Sequence, residues 1–501
     1  MKVFSSEQIR NIDAYTIANE PIASVDLMER ASEALFSWIA QNLCTTSRYV
    51  IICGPGNNGG DGLAVARMMF FAGFNVVVYC ISSKSYTSDF DINLARLKKI
   101  SIELNIIHNE SDFPTINKND IIVDALYGSG LSRPIDGVGA MLVQHINNSG
   151  VVVVSVDIPS GLFSNDNPHP NPYPVVKASI CLTFQSPKLS FFFAENEPYI
   201  RRWYSLPIGL HPRAIEENPT PYCYMEGGDL KSIFRSRSVF SHKGTYGHCL
   251  VVAGSYGMIG AATLCANSAV KSGAGLVTMH VPQCGYSIAQ QLVPTAMGRV
   301  DIDDRYFTSI SDIEKYSSIC VGPGLGTNPL TANALANLIR DICVPLLLDA
   351  DALNIISQNK GYLSALPPNT IITPHPGEFD RLFGKSDCGL ERLRKAMDVA
   401  KKYKLIVVLK GAYTQIVNSD GCVYFNSTGN AGMAAGGSGD VLTGVIGGLL
   451  AQGYSPINAA KVGVYTHGLA GDIAKINYGE NSLTAQNILE SLSLAFKYLE
   501  K

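Results

Sequence analysis

"RYVIICGPGNNGGDGLAVARMM", residues 48–69, runs a short hydrophobic stretch into five glycines within nine residues and then into a helical pattern. An apolar strand that breaks at a glycine-rich turn and opens a helix is the unit of a parallel α/β sheet, buried on both faces. Gly54, Gly56 and Gly59 also satisfy the Gly-x-Gly-x-x-Gly fingerprint of dinucleotide folds. That fingerprint calls for an acidic residue about 20 positions further on, to hold ribose hydroxyls. The stretch there, "VVVYCISSKS" (76–85), has no acid before Asp89. Ser83 and Lys84 would instead favour a 2′-phosphate, and no His or Lys with a hydride-transfer context lies nearby. As a redox motif the fingerprint fails.

Outward from this stretch, the same alternation repeats. Two amphipathic helices precede it, and Val- and Ile-rich runs at 48–53, 75–81, 119–124, 151–157 and 178–184 alternate with helical patterns. Periodicity weakens through 205–230, which holds four prolines and reads as a linker. A second series of strands follows at 248–254, 275–281, 317–322, 344–351 and 404–411. The glycine spacing of 439–450 predicts a helix packed closely against a neighbour. Two α/β domains in series suit a chain of 501 residues, too long for one core.

Composition narrows the function. A net charge of −3 without a dense Lys/Arg tract argues against nucleic acid and anionic membrane as partners. The opening residues lack the apolar stretch of a secretory signal, and no apolar span is long enough to cross a bilayer. The twelve cysteines are scattered without a Cys-x-x-Cys, and several lie inside strand-like runs as small hydrophobes. A reducing cytoplasm is expected. Nine histidines form no His-x-x-x-His or mixed Cys/His cluster, which argues against zinc.

Parallel sheets bind ligands at the carboxyl ends of their strands. In the first half, three loops fall there: "GPGNNGGDG" (54–62), "DALYGSGLSRP" (124–134) and "DIPSG" (157–161). Asp124 and Asp157 stand at the tips of apolar strands, where a charge persists only when paired or coordinated. A lone Asp in such a place usually caps a helix. Two Asp, two Asn and Ser160 converging by topology weaken that explanation. Asn58, Asp124 and Ser160, with backbone carbonyls, would suit a monovalent cation better than zinc.

In the second half, "GNAGMAAGGSGDVLTGVIGG" (429–448) ends a glycine-rich turn in Asp440 and opens a helix. Amides from Gly437 to Gly439 can face an anion, and the Asp440 carboxylate can take a proton from a hydroxyl attacking a phosphate. No Gly-x-x-x-x-Gly-Lys-Ser/Thr loop is present. The alternative is a helix-packing segment with an N-terminal Asp. Upstream, "VVLKGAYT" (407–414) offers Lys410 and Gly411 as a clasp for nucleotide phosphate or adenosine. "TPHPGEF" (373–379) sets His375 between prolines, where it contacts a substrate or is inert. "AGSYGMIGAA" (253–262) and "VGPGLG" (321–326) are further glycine loops, and in "DADALN" Asp349 and Asp351 serve magnesium or cap a helix.

These motifs carry a resemblance. The N-terminal trio resembles the NAD(P)H-hydrate epimerase family. "HKGTYGHCLVVAGSYGMIGAA" (242–262) and the five motifs that follow it resemble the ADP/ATP-dependent NAD(P)H-hydrate dehydratases, with Ser438 where some relatives have Thr. The resemblance implies a Rossmann-like three-layer parallel-sheet domain over 1–215 and a ribokinase-like α/β domain over 226–501. It implies that the first domain epimerises the R and S hydrates of NADH and NADPH (NADHX and NADPHX). The second would dehydrate the S hydrate with ADP or ATP and Mg2+ through a phosphorylated intermediate. Asn57, Asn58, Gly59, Gly60 and Asp61 would contact the hydrate in the first domain, together with Gly128, Ser129, Gly130, Leu131, Ser132, Arg133, Pro134 and Asp157. Potassium (K+) would be held by Asn58, Asp124 and Ser160. In the second domain Ala261, Gly324, His375 and Asp440 would contact the hydrate. Lys410, Gly411, Ala412, Tyr413, Thr414 and Gly439 would hold the adenine nucleotide. Asp440 and Asp157 are the expected catalytic groups, and a homo-oligomer is expected. A ribokinase-type kinase of a vitamin precursor or sugar would explain only the second half. A nucleotide-sensing first domain would have no need of intact Asp124, Asp157 and Ser160.

Overall fold

Strand Arg48–Cys53 (β1) sends its side chains into two different cores in the computed structural model, which describes residues 1–500. Tyr49, Ile51 and Cys53 pack with Leu63, Ala66 and Met69 of the Asn57–Phe71 helix. Val50 and Ile52 pack with Leu142, Val143 and Ile146 of the Gly137–Asn148 helix. This alternation makes three layers, helices on both faces of one sheet. The other strands of that sheet are Asn75–Ile81 (β2), Glu103–Ile107 (β3), Ile121–Ala125 (β4), Val152–Val156 (β5), Ile180–Phe184 (β6) and Trp203–Leu206 (β7). Their order is β3-β2-β1-β4-β5-β6-β7, all parallel. Chain direction along the sheet reverses between β1 and β4, so the loops after these strands diverge and leave a crevice. The two strand ends stay tied, Gly54 donating its N–H to the Ala125 carbonyl at 3.0 Å.

Neither β3 nor β7 is foreseen from the hydrophobic runs. Both are edge strands, and "ELNII" and "WYSL" keep several residues half-buried or exposed, so neither reads as a continuous apolar run. The stretch 205–230 is not a loose linker. Pro212 starts a short helix, Pro212–Glu217, and strand Tyr222–Tyr224 (β8) follows; the chain divides into two units between Thr220 and Pro221.

The second unit's sheet adds His248–Val252 (β9), Leu276–Val281 (β10), Met297–Val300 (β11), Ser318–Val321 (β12), Leu346–Leu348 (β13), Ile371–Ile372 (β14), Ile406–Leu409 (β15), Gln415–Val417 (β16) and Val423–Phe425 (β17). It is ordered β11-β10-β9-β12-β13-β14-β15-β16-β17-β8. From β11 to β15 neighbours are parallel; β16 is antiparallel to both β15 and β17, and β8 returns parallel to β17. The sheet is therefore mixed, with its switch point between β9 and β12.

The glycine-spaced helix Ser438–Ala451 lies against Ile259–Lys271, and its glycines are there for room. A Cβ on Gly444 would stand 1.9 Å from the Cys265 carbonyl oxygen and 2.0 Å from Ser268 Oγ; on Gly447 it would stand 2.0 Å from Cys320 Sγ. Because the first obstacle is backbone, Gly444→Ala should destabilise this unit by about 3 kcal/mol through overpacking. Its thermal midpoint should fall by several degrees. Gly436→Ala, with nothing within 4 Å of the added carbon, should leave the midpoint unchanged.

Candidate active sites at the two sheet switch points

At the end of β4 the Asp124 side chain is fully buried. One carboxylate oxygen accepts from Ser160 Oγ (2.6 Å) and the Leu126 N–H (3.3 Å), the other from Ser155 Oγ (2.7 Å) and the Ser160 N–H (3.0 Å). No cationic side chain among the described residues pairs with it. Burial pushes its carboxyl above the usual range, and the serine hydrogen bonds partly offset that. Asp124 is therefore not a helix cap. Ser160 Oγ also accepts the Tyr127 N–H at 2.8 Å, and Asn58 Oδ1 lies 3.1 Å from where a Cβ on Gly128 would stand. Asn58, Asp124 and Ser160 are thus gathered around the Tyr127–Gly128 turn. Asn58 Nδ2 is buried without a hydrogen-bond partner.

Asp157, at the end of β5, adopts a left-handed backbone, φ +65°. That conformation is costly for a residue other than glycine and is retained only where the surroundings enforce it. Its carboxylate pairs with Lys188 Nζ at 2.8 Å and accepts N–H groups from Ser129 (3.2 Å) and Phe184 (3.3 Å). Burial opposes ionisation, but the Lys188 charge, its hydrogen bond and Ser129 hold the carboxyl below the usual range. Lys188 is 2% exposed and also donates to the Phe184 and Ser186 carbonyls, both at 3.3 Å. Sequence reasoning missed Lys188, although "QSPK" directly follows the β6 strand as the other site loops follow theirs.

The remaining first-half positions divide into packing and surface. Gly59 is forced by close approach, since a Cβ there would stand 1.9 Å from the Gly54 carbonyl oxygen. Gly60 faces Met28, and Asp61 is buried beside Ser32 Oγ at 3.4 Å. Burial first, and then Asp157, raises the Asp61 carboxyl well above its usual range. Asn57, Gly130, Ser132 and Arg133 are exposed, with Leu131 and Pro134 half-buried between them.

In the second unit Gly437, at φ +89°, ends the glycine turn and Asp440 sits in the first helical turn beyond it. A Cβ on Gly439 would stand 3.4 Å from Lys410 Nζ and 3.8 Å from Asp349 Oδ2. Lys410 Nζ pairs with Asp349 Oδ1 at 2.8 Å and lies 3.8 Å from Glu378. The other Asp349 oxygen accepts Thr443 Oγ1 at 2.7 Å. Asp349 does not cap its helix through its side chain; it anchors the lysine. Asp351 accepts the Gly326 N–H at 2.8 Å, tying in the "VGPGLG" loop. Burial first, then the Asp349 charge, pushes the Asp440 carboxyl up to about 6 against the pull of Lys410.

Gly324, at φ +59°, abuts Ala261: an added Cβ would lie 3.0 Å from the alanine methyl. Thr414 Oγ1 closes the 411–414 turn by donating to the Gly411 carbonyl at 3.0 Å, with Ala412 exposed and Tyr413 half-buried. His375 is half-exposed and caps Pro376–Phe383, its Nδ1 accepting the Gly377 and Glu378 N–H groups at 3.0 and 3.3 Å. Sequence reasoning missed His467, buried 3.4 Å from Ser438 Oγ beside the glycine turn and kept neutral by burial, which lowers its value to about 4. Among the described residues no group of three or more His, Cys, Asp or Glu side chains is placed to hold a metal ion.

Residues 24–190 match the family described as YjeF-related protein N-terminus, and residues 249–494 match NAD(P)H-hydrate dehydratase. The chain is 35% identical over 517 residues to the bifunctional NAD(P)H-hydrate repair enzyme Nnr of Thermofilum pendens, covering 100% of this chain and 97% of that one. A solved ribokinase-like superfamily protein of Enterococcus faecalis is 26% identical, with TM-score 0.50, over 56% of this chain and 99% of its own. The ADP/ATP-dependent NAD(P)H-hydrate dehydratase of Bacillus subtilis, co-crystallised with ATP/Mg2+, is 29% identical, with TM-score 0.49, over 55% and 98%. The chain belongs to the bifunctional NAD(P)H-hydrate repair enzymes, an epimerase unit followed by a ribokinase-like dehydratase unit.

Proposed function

We propose that Asp440 is the general base of the dehydratase and that Asp157 is an acid–base group of the epimerase. The observation that carries the first assignment is a carboxylate with a raised pKa beside a left-handed glycine turn and an anchored lysine. A hydrated nicotinamide carries its hydroxyl on the ring carbon next to nitrogen. Hydroxide leaves poorly, its conjugate acid having a pKa near 16 in bulk water. Transfer of a phosphoryl group to that hydroxyl makes phosphate the leaving group, which the ring nitrogen expels. Asp440 takes the hydroxyl proton as it attacks the terminal phosphate of ADP or ATP, and the Gly437–Gly439 amides hold the developing charge.

Lys410, pinned by Asp349, offers its charge to the nucleotide, with Gly411, Ala412, Tyr413, Thr414 and Gly439 around it. Ala261, Gly324 and His375 border the hydrate. Asp349 and Asp351 are already engaged by Lys410, Thr443 and the Gly326 amide. Magnesium would therefore be carried by the nucleotide phosphates. When bound it neutralises phosphate charge.

A stereospecific pocket uses one hydrate, so the other must be inverted. Reversible loss of hydroxide from the ring carbon, assisted by Asp157, does this. Asn57 to Asp61 and Gly128 to Pro134 frame the nucleotide there. Potassium fits at Asn58, Asp124 and Ser160: Asp124 is buried without a cationic partner, and rotating the Asn58 amide turns an oxygen toward the buried end now held by Nδ2. Bound there it would hold the 54–62, 124–134 and 157–161 loops together. A cytoplasmic homo-oligomer completes this reading; all twelve cysteines are free thiols, which suits a reducing compartment.

Near-ultraviolet absorbance regained from a mixture of hydrate epimers tests each role. Asp440→Ala should slow nucleotide-dependent recovery by about 10²–10⁴-fold. In the parent enzyme the dehydratase step, read as the fast phase that consumes the S hydrate, should slow as pH falls through about 6, because protonation removes the base. Asp157→Asn should convert the S share normally and leave the R share behind; parent-rate completion would remove that role. Exchanging potassium for tetramethylammonium should slow only the phase that consumes the R hydrate.

A further inference from the structure

The Ser6–Asn19 helix turns a stripe of Ile9, Ile12, Asp13 and Thr16 inward, at the i, i+3, i+4, i+7 spacing of a core-facing side. Ile9 and Ile12 join an apolar cluster with Phe4, Leu27, Ile208 and Leu210. The polar atom of Thr16 is accounted for, since its hydroxyl donates to the Ile12 carbonyl at 2.8 Å and accepts the His211 N–H at 3.0 Å. Asp13 is different. Its carboxyl makes no hydrogen bond or ion pair among the described residues, yet it sits on the buried side of the helix.

The helix is anchored to the epimerase site. Ser6 Oγ donates to the Ser129 carbonyl at 2.6 Å, and the Ser129 N–H donates to Asp157 at 3.2 Å. Asp13 lies seven residues on from Ser6, on the same face and about 10 Å along the axis. The charges it feels are those of the site: Asp157, which disfavours its ionisation, and Lys188, which favours it; Asp61 feels Asp13 in turn, and also Asp89. On the neighbouring Pro212–Glu217 element, His211 meets the helix through Tyr15, ring to ring at 5.2 Å.

We propose that Asp13 is the general acid of the epimerase, working opposite the Lys188-paired Asp157; this rests on the placement of the hydrate at Asp157. Inversion needs one group that gives a proton to the departing hydroxyl and one that takes a proton from the water adding back. Two carboxyl groups whose surroundings drive their proton affinities apart supply that pair. Burial, followed by the Asp157 charge, raises the Asp13 carboxyl to about 6, while Lys188 holds Asp157 ionised.

The protonated Asp13 carboxyl transfers its proton to the ring hydroxyl. The carbon–oxygen bond breaks with its electron pair, water departs, and the nitrogen lone pair forms a carbon–nitrogen double bond. Water adds to the other face of the planar carbon, the double-bond pair returns to nitrogen, and the added water gives its proton to Asp157. Asp157 then releases its proton to solvent and the half-buried Asp13 takes one up, which restores the starting protonation.

The full-length enzyme, with potassium, ATP and Mg2+, separates the two activities in one trace: a fast phase consumes the S hydrate and a slow phase follows epimerisation. Asp13→Asn should slow the second phase by about 10²-fold or more above background, with the first unchanged. In the parent, the slow phase should speed up as pH falls through about 6 and Asp13 becomes protonated. The Asn variant should lose that limb, and Asp13→Glu should regain both rate and limb. A slow phase within about twofold of the parent, or one slowed with its pH limb intact, overturns the role. If the Asn variant fails to fold, a Glu variant lacking the limb overturns it equally. Asp157→Asn, run alongside, keeps the failures apart: its loss of the slow phase with Asp13→Asn unaffected removes Asp13 alone. Parent rates in both variants remove the placement of the site.

Discussion

A carboxylate at the tip of a buried strand cannot stay ionised without a counter-charge, and both units answer this constraint with one lysine from another loop. Asp157 has Lys188 at 2.8 Å, and Asp349 has Lys410 at 2.8 Å. Stripping the lysine from such a pair would leave an uncompensated buried charge, which costs far more than the pair itself contributes. Each pair therefore locks two loops together: the 157–161 loop to the segment after β6, and the start of the Ala350–Gln358 helix to the end of β15. The sites are built around these locks.

With only one lysine in each set, the remaining carboxylates are left short of positive charge. Asp124, Asp13 and Asp61 in the first unit, and Asp440 in the second, are all pushed toward their protonated forms, burial being the largest cause in every case. The division is chemically useful. A lysine-paired carboxylate such as Asp157 rests ionised and is ready to take a proton, whereas one poised near 6 can also hold a proton to give at ordinary pH. Asp124 differs from the others because hydroxyls and amides surround it, the environment of a cation ligand more than of a proton carrier.

Much of this was legible in the sequence wherever the signal is local. Central strands are buried on both faces and read as continuous apolar runs. The loops after β1, β4 and β5, and the turn before Asp440, announce themselves by glycine and aspartate at strand ends. What escaped depends on distance along the chain. Edge strands β3 and β7 carry mixed polarity because one side of each has no neighbour. Lys188 gains its meaning only from Asp157, 31 positions earlier on a different strand. Pro212 and Pro221 read as linker punctuation, yet one begins a helix and the other precedes an edge strand of the second sheet. Asp13 left a faint trace, a charged residue on the inward stripe of an amphipathic helix, which composition and motif spacing do not register.

The two units also explain each other through stereochemistry. If Asp440 is the base proposed above, a glycine turn that lets a phosphate approach it requires the attacking hydroxyl to point at that phosphate, and a fixed ring can satisfy this in one configuration only. On that proposal, the kinase-like geometry that makes dehydration feasible is the same geometry that would reject half of the substrate. An epimerising site needs the opposite property. It must accept both configurations, so it cannot fix the hydroxyl; it must stabilise the flat state between them. On the proposed assignment Asp157, ionised at rest beside Lys188, favours that flat, positively charged state and takes the proton of the returning water, while Asp13 supplies the proton for the departing one.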